Sequence, residues 1–160
     1  MEPELTRLLT REAIRDLRLR YCHYLDTNRM DAMAGLFTED AICQVDRGIW
    51  RGRAAIRDGL AAAFAAYDIH QRGAYPFLHA VSNHWIDVLD EDRAEGRCYL
   101  IDFDTARPAS VNPLLLLGVY ADEYRRVDGQ WLISRTRLDV VWPQPNVGGG
   151  APADGLVLPS

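Results

Sequence analysis

One histidine of the stretch FLHAVSNHWIDV, residues 77–88, falls where a β-strand would bury its side chain. The stretch alternates like a strand with one solvated face, so side chains two residues apart point the same way. His79 then shares a face with Val81 and Trp85, whereas His84 lies on the other face and is expected in solvent. An imidazole titrates near neutral pH and can act as a general base. A core histidine with one satisfied hydrogen bond is the structural alternative, which spacing alone favours.

The elements around this strand predict an α+β fold, with helices packed on one face of an antiparallel sheet. Apolar residues three or four apart predict an amphipathic helix over residues 4–26, and two further helical stretches follow it. The Asp-Gly turn of VDGQW indicates a hairpin between the last two strands. We expect one domain over residues 1–143 and a Gly/Pro-rich tail or lid over residues 144–160. Strands are predicted at residues 41–46, around Trp50, and at 79–90, 93–104, 114–127 and 130–142.

Composition and charge exclude several classes of function. A net charge of −5 without any Lys/Arg cluster argues against a nucleic-acid-binding surface. The three cysteines show no Cys-x-x-Cys spacing and no two histidines share helical spacing, so neither a disulfide framework nor a metal site is predicted. No glycine-rich loop joins a strand to a helix, which predicts that no nucleotide cofactor is needed. The charged N-terminus and short apolar runs predict a cytoplasmic protein that contacts no membrane.

Three segments give the chain a resemblance to a known family: YLDTNRMDAMAGLFTEDA, GRAAIRDGL and YADEYRRVDGQWLISRTR. Roughly residues 8–143 resemble the NTF2-like superfamily. Within it they look most like the SnoaL-like branch, which holds scytalone dehydratases, bile-acid dehydratases and hexachlorocyclohexane dehydrochlorinases. The resemblance implies a cone, in which a bent antiparallel sheet wraps around N-terminal helices and leaves a deep apolar pocket. It fixes no activity, because the superfamily also holds isomerases, cyclases and non-catalytic binding proteins.

The resemblance also pairs His79 with a carboxylate. In that branch an aspartate after the first helix's tyrosines pairs with a histidine in an H-x-x-x-N pattern, and Asp26 and His79 match these positions. A carboxylate that accepts the imidazole Nδ1–H fixes the tautomer and leaves Nε2 as a general base. Tyr24, one helical turn from Tyr21, can donate to a leaving or developing oxygen. Asp26, His79 and Tyr24 are the predicted catalytic residues, with a helix cap and aromatic packing as alternatives.

The implied pocket needs walls and, in some members, a cation. Dehydrochlorinase-like members carry a cationic residue on the last strand, and counting from Trp131 places that position at Thr136, beside Arg137. A lysine that the dehydrochlorinase carries on the first helix corresponds to Tyr21. Loss of both cations favours departure of water or movement of an enol proton over chloride elimination, unless a bulge turns Arg137 inward. The predicted pocket residues are Tyr21, Trp50, Phe64, Phe77, Asn83, Tyr120, Thr136 and Arg137.

Together these features predict a lyase of dehydratase type, or a double-bond isomerase, that needs no cofactor. His-Asp general acid/base catalysis would act on an apolar ring compound of the polyketide, steroid or terpenoid class. The alternative is a non-catalytic module of the same fold that binds a small ligand or serves in assembly. A homo-oligomer, trimer or dimer, is expected by resemblance and because residues 114–124 and 131–142 carry large apolar side chains on both faces of their strands.

Overall fold

The computed structural model describes residues 2–144, so nearly all of the predicted tail or lid lies outside the described residues. The last three long strands begin and end as predicted, whereas the first strand begins earlier, at Phe37. No helix in this part of the chain is long and apolar enough to cross a membrane. The elements are α1 (Glu2–Asp26), α2 (Met30–Ala34), β1 (Phe37–Val45), β2 (Gly48–Arg51), α3 (Arg53–Tyr67), β3 (Phe77–Val88), β4 (Arg93–Asp104), β5 (Leu114–Val127) and β6 (Gln130–Trp142).

The six strands form one curved sheet in the order β2-β1-β6-β5-β4-β3, which confirms the α+β fold with N-terminal helices. β3 to β6 form an antiparallel meander, and β1 pairs antiparallel with β2. The sheet is nevertheless mixed, because β1 lies parallel to β6. The prediction of a wholly antiparallel sheet is wrong at this pair. These strands are joined by no hairpin, so no turn dictates their relative direction.

Helix α1 lies against the inner face of the sheet and buries one stripe of side chains. Ile14, Leu17, Tyr21 and Leu25 recur at helical spacing and are at most 6% exposed. The facing strands present alternate residues to the same core, as in Cys98, Leu100 and Asp102 of β4 and Leu116 and Tyr120 of β5. Helix α3 closes the core with Ile56, Leu60 and Phe64. The residual space between these layers is where a site can form.

A bulge interrupts the strand that first suggested a buried histidine. The register of β3 with β4 shifts between Ser82 and Trp85, and Asn83 adopts a positive φ of 52°. An extra residue in a strand reverses which side chains face inward beyond it. His84 is therefore half-buried rather than in solvent, and Trp85 is 53% exposed rather than packed. His79 lies before the bulge and keeps its inward direction.

Candidate active site

A narrow cavity of about 60 Å³ lies between α1 and the inner face of the sheet. Apolar side chains make up half of its wall, among them Leu25, Leu116 and Leu138. The ionisable side chains in the wall are those of Tyr21, Asp46, Arg47, Tyr67, His79, Asp102 and Tyr120. A cavity that combines apolar walls with convergent polar groups is the usual form of a small-molecule site.

Asp26 and His79 meet at this cavity, from the end of α1 and the start of β3. Oδ1 of Asp26 lies 2.6 Å from Nδ1 of His79, and Oδ2 accepts the backbone N–H of His79 at 3.0 Å. Both side chains are less than a tenth exposed. A carboxylate only accepts, so Nδ1 carries the proton and, in the neutral ring, Nε2 holds the lone pair. The arrangement is that of an oriented general base.

Burial and neighbouring charges act in opposite directions on the pKa of His79. Burial disfavours the imidazolium, but the hydrogen bond that His79 donates to Asp26 and the charges of Asp102 and Asp26 outweigh this effect. The net effect raises the pKa of His79 above its usual 6.5. Phe77, predicted as a pocket wall, packs edge-on against the imidazole with ring centres 4.9 Å apart. The base is thus held in place by one apolar and one charged neighbour.

Asp102 is a second carboxyl group at the cavity, and the sequence reasoning missed it. It lies directly opposite His79 in the β3–β4 register, with Oδ2 3.9 Å from Nε2 of His79. Its Oδ1 is buried without a hydrogen-bond partner in the described chain. Burial raises the pKa of Asp102 to about 6, against the attraction of His79. The alternation Cys98, Leu100, Asp102 could have signalled a carboxylate on an apolar face.

The predicted phenol of Tyr24 is not at the cavity, whose wall carries Tyr21, Tyr67 and Tyr120 instead. Tyr21 and Tyr120 both line the cavity, and their rings meet edge-on with centres 6.1 Å apart. Burial raises the pKa of both phenols well above 10, so they remain donors. Tyr24 is half-buried beside His23 and forms no part of the wall, because it lies about a quarter turn from the centre of the buried stripe.

Three other predicted wall residues lie outside the cavity. Trp50 packs on α3 against Gly59, where a Cβ would lie only 2.2 Å from the indole. Phe64 is buried behind Phe77, with ring centres 5.7 Å apart, and does not reach the cavity. Asn83 forms the bulge of β3 and is exposed. The sequence places each near the core, but only packing decides which side chain meets the empty space.

Thr136, which stands where some relatives carry a cation, is not part of the cavity wall and contacts a cation from the first helix. Thr136 is fully buried and accepts from Nη2 of Arg18 at 2.8 Å, while Nε of Arg18 donates to Asp122 at 3.0 Å. Arg137 instead donates to Asp139 at 2.9 and 2.7 Å, and it is not part of the cavity wall. No bulge occurs at this point of β6, so alternation keeps Arg137 on the face opposite Thr136.

These groups can move protons and stabilise a developing oxyanion. Nε2 of His79 is the candidate base, and Asp102 with its raised pKa is a candidate acid. The phenols of Tyr21 and Tyr120 are candidate donors to an oxygen of the substrate. Within residues 2–144, no three His, Cys, Asp or Glu side chains are grouped so as to hold a metal ion. Catalytic roles for Asp26 and His79 remain predictions that their geometry supports.

Several solved structures share this architecture. A scytalone dehydratase-like protein of Novosphingobium aromaticivorans is 27% identical, with 92% of this chain and 93% of that chain covered and a TM-score of 0.71. A Mycobacterium tuberculosis protein of unknown function, solved as a D26N variant, is 29% identical, with 86% of this chain and 75% of that chain covered and a TM-score of 0.71. The hexachlorocyclohexane dehydrochlorinase LinA-type3 of Novosphingobium barchaimii is 21% identical, with 91% of this chain and 96% of that chain covered and a TM-score of 0.71. At this identity it shows the shared fold alone.

Sequence comparison leads to the same group of proteins. No curated protein matches the chain at a significant level. The family model described as SnoaL-like domain, however, matches residues 6–137, which include most of α1 with Asp26, all of β3 to β5, and most of β6. The chain therefore belongs to the SnoaL-like domain family, with the NTF2-like fold.

Proposed function

We propose that this protein is a lyase of dehydratase type, or a double-bond isomerase, that acts by general acid/base catalysis. One observation carries the proposal: an imidazole whose Nδ1 is held by a carboxylate turns its Nε2 toward a second, largely buried carboxyl group at an apolar cavity. The scytalone dehydratase-like protein among the structural relatives supports the same reaction class. Buried titratable groups with perturbed pKa values concentrate at functional sites.

In the elimination, Nε2 of His79 would take a proton from a carbon next to a carbonyl group. The C–H electron pair moves toward the carbonyl, whose oxygen becomes an oxyanion that Tyr21 and Tyr120 can stabilise by donation. The enolate then expels a β-hydroxyl group, which leaves as water after receiving a proton from Asp102 or from the imidazolium. In the isomerisation, the imidazolium returns the proton to a different carbon. A positioned base contributes about 10²- to 10⁴-fold in rate.

An apolar ring substrate would have to occupy more than the inner cavity. The 60 Å³ of that cavity is below the roughly 300–1,000 Å³ of most ligand pockets. A neighbouring groove of about 360 Å³ shares Asp46, Tyr67 and Leu116 with it. The guanidinium of Arg47 lies 4.6 Å above the Tyr67 ring, and both side chains line the cavity. A ring would place its reacting carbon inside and the rest in the groove, after the exposed Arg47 moves away from the half-buried Tyr67.

The narrow cavity is also the observation that favours the second candidate, a non-catalytic ligand-binding or assembly module. A module that only holds a small ligand needs neither a base nor an acid at Nε2. It would bind ring compounds without converting them, and its affinity would depend on wall shape rather than on the imidazole. The two candidates therefore differ in whether His79 matters for turnover.

The deciding experiment screens a panel of β-hydroxy-ketone and enone polycycles for dehydration or double-bond movement. Variant His79→Ala should lower turnover about 10²- to 10⁴-fold with the melting temperature nearly kept. Its matched control is His84→Ala, on the same strand beyond the bulge, which should retain activity because His84 contacts Tyr124 and not the cavity. Compounds that bind unchanged, or equal turnover in both variants, would favour the binding module.

A further inference from the structure

Arg18 is a buried guanidinium placed beneath the two phenols of the cavity. It is fully buried on α1, one helical turn before Tyr21. Its Cζ lies 4.5 Å from the ring centre of Tyr21 and 4.1 Å from that of Tyr120. A cation this close to an aromatic face is strongly attracted when water is excluded. Arg18 itself is not part of the cavity wall, so it would not contact a bound molecule.

The partners of Arg18 fix its position without using all of its donors. Asp122 accepts from both Nε and Nη2, and Thr136 accepts from Nη2. The remaining nitrogen, Nη1, is buried without a hydrogen-bond partner among the described residues. A buried ion pair is weak ground for stability, because well-packed apolar residues often replace one at no cost. The guanidinium is therefore fixed beside two aromatic rings, and its position there calls for an explanation other than stability.

Such a charge changes what the phenols can do. A positive charge favours the ionised form of a nearby acid, and Arg18 acts to lower the pKa of both tyrosines against the larger effect of burial. A phenol made more acidic donates a stronger hydrogen bond to an anionic oxygen. Because the guanidinium lies against both rings, both phenols would respond together.

We infer that Arg18 is a positioning residue that makes the Tyr21–Tyr120 pair a binding site for an anionic oxygen, such as that of an enolate or a phenolate. Arg18 acts through the two hydroxyl groups, which contact the ligand, and Asp122 and Thr136 hold Arg18 in place. The inference rests on the proposed function only in taking the cavity as the reaction site. Its test measures binding without turnover, so the two can fail separately.

The probes are 4-nitrophenolate and its uncharged analogue nitrobenzene. Both are titrated into the protein at one pH, at which free 4-nitrophenol is ionised in water. The test variant is Arg18→Met with Asp122→Asn, which removes both charges of the buried pair. It should lose affinity for 4-nitrophenolate by about tenfold to thirtyfold and keep its affinity for nitrobenzene. The matched control, Arg137→Met with Asp139→Asn, makes the same replacements on the opposite face of β6 and should change neither affinity.

A structural role for Arg18 predicts a different pattern, in which both probes lose affinity together as the cavity changes shape. Equal losses, or an unchanged preference for the phenolate, would overturn the inference. Should the double variant not fold, Arg18→Gln with Asp122→Asn decides the question, because it removes both charges and leaves a hydrogen-bonding side chain at each position. The preference for phenolate over nitrobenzene should then fall, and an unchanged preference would equally overturn the inference.

Discussion

Replacement of Asp102 by asparagine is expected to stabilise this protein at neutral pH. The carboxyl group is buried beside His79, and its Oδ1 has no hydrogen-bond partner among residues 2–144. Burial outweighs the attraction of His79, so that the pKa rises from 3.8 to about 6. A group that holds its proton more tightly in the folded state lowers stability wherever it must be ionised. An amide of the same shape removes that charge.

The magnitude follows from the size of the pKa shift. A shift from 3.8 to about 6 corresponds to about 3 kcal/mol, which is fully present above the folded pKa. As the pH falls through about 6 toward 3.8, the folded carboxyl group protonates first and the penalty disappears. At pH 4 the remaining penalty is below about 1 kcal/mol. The Asp102→Asn variant should therefore gain about 2 to 3 kcal/mol at pH 7.5 and little at pH 4.

Urea unfolding of the native protein and the variant at both pH values measures this difference. The matched control is Asp139→Asn, because that buried carboxylate is paired with Arg137 and its loss should destabilise the fold at pH 7.5. A gain that is equal at the two pH values, or a loss at pH 7.5, would refute the reasoning. A gain in stability together with a fall in turnover would identify Asp102 as a group retained for function at a cost in stability.

Three further predictions concern the dyad, the phenols and the assembly. In Asp26→Asn the side chain has one acceptor oxygen where the carboxylate has two. If that oxygen keeps the bond to the backbone N–H of His79, the amide N–H₂ faces Nδ1 and forces the Nε2–H tautomer, with turnover down about 10²- to 10⁴-fold. ¹⁵N NMR reports the tautomer, and an unchanged one would contradict this prediction. Tyr21→Phe should lower turnover about 10²-fold and Tyr24→Phe should not, so equal effects would count against the oxyanion site. We propose a homo-oligomer, which light scattering at micromolar concentration should show as a dimer or trimer. Trp85→Glu on the outer sheet face should weaken it, whereas a native monomer would end the proposal.

Local patterns in the sequence determine much of this protein. Helical spacing of apolar residues predicts α1 as an amphipathic helix, and the Asp-Gly turn between two apolar stretches predicts β5, β6 and their antiparallel pairing. Both signals depend only on residues close together in the chain, so they can be recognised without knowledge of the tertiary structure. The meeting of Asp26 with His79 came from family resemblance, because the two residues are far apart in sequence and no periodicity links them.

Only the tertiary structure decides which polar groups share the cavity. One extra residue at Asn83 reverses the faces of β3 and takes Trp85 out of the core, which no count of alternation predicts. The β3–β4 register sets Asp102 opposite His79, and a shift of one residue would turn it to the other face. Arg18 lies on a helix face that reads as apolar, and its role depends on Asp122 and Thr136 of distant strands. A buried charge is stable only beside partners that folding brings to it, and those partners are set by register and packing rather than by local sequence.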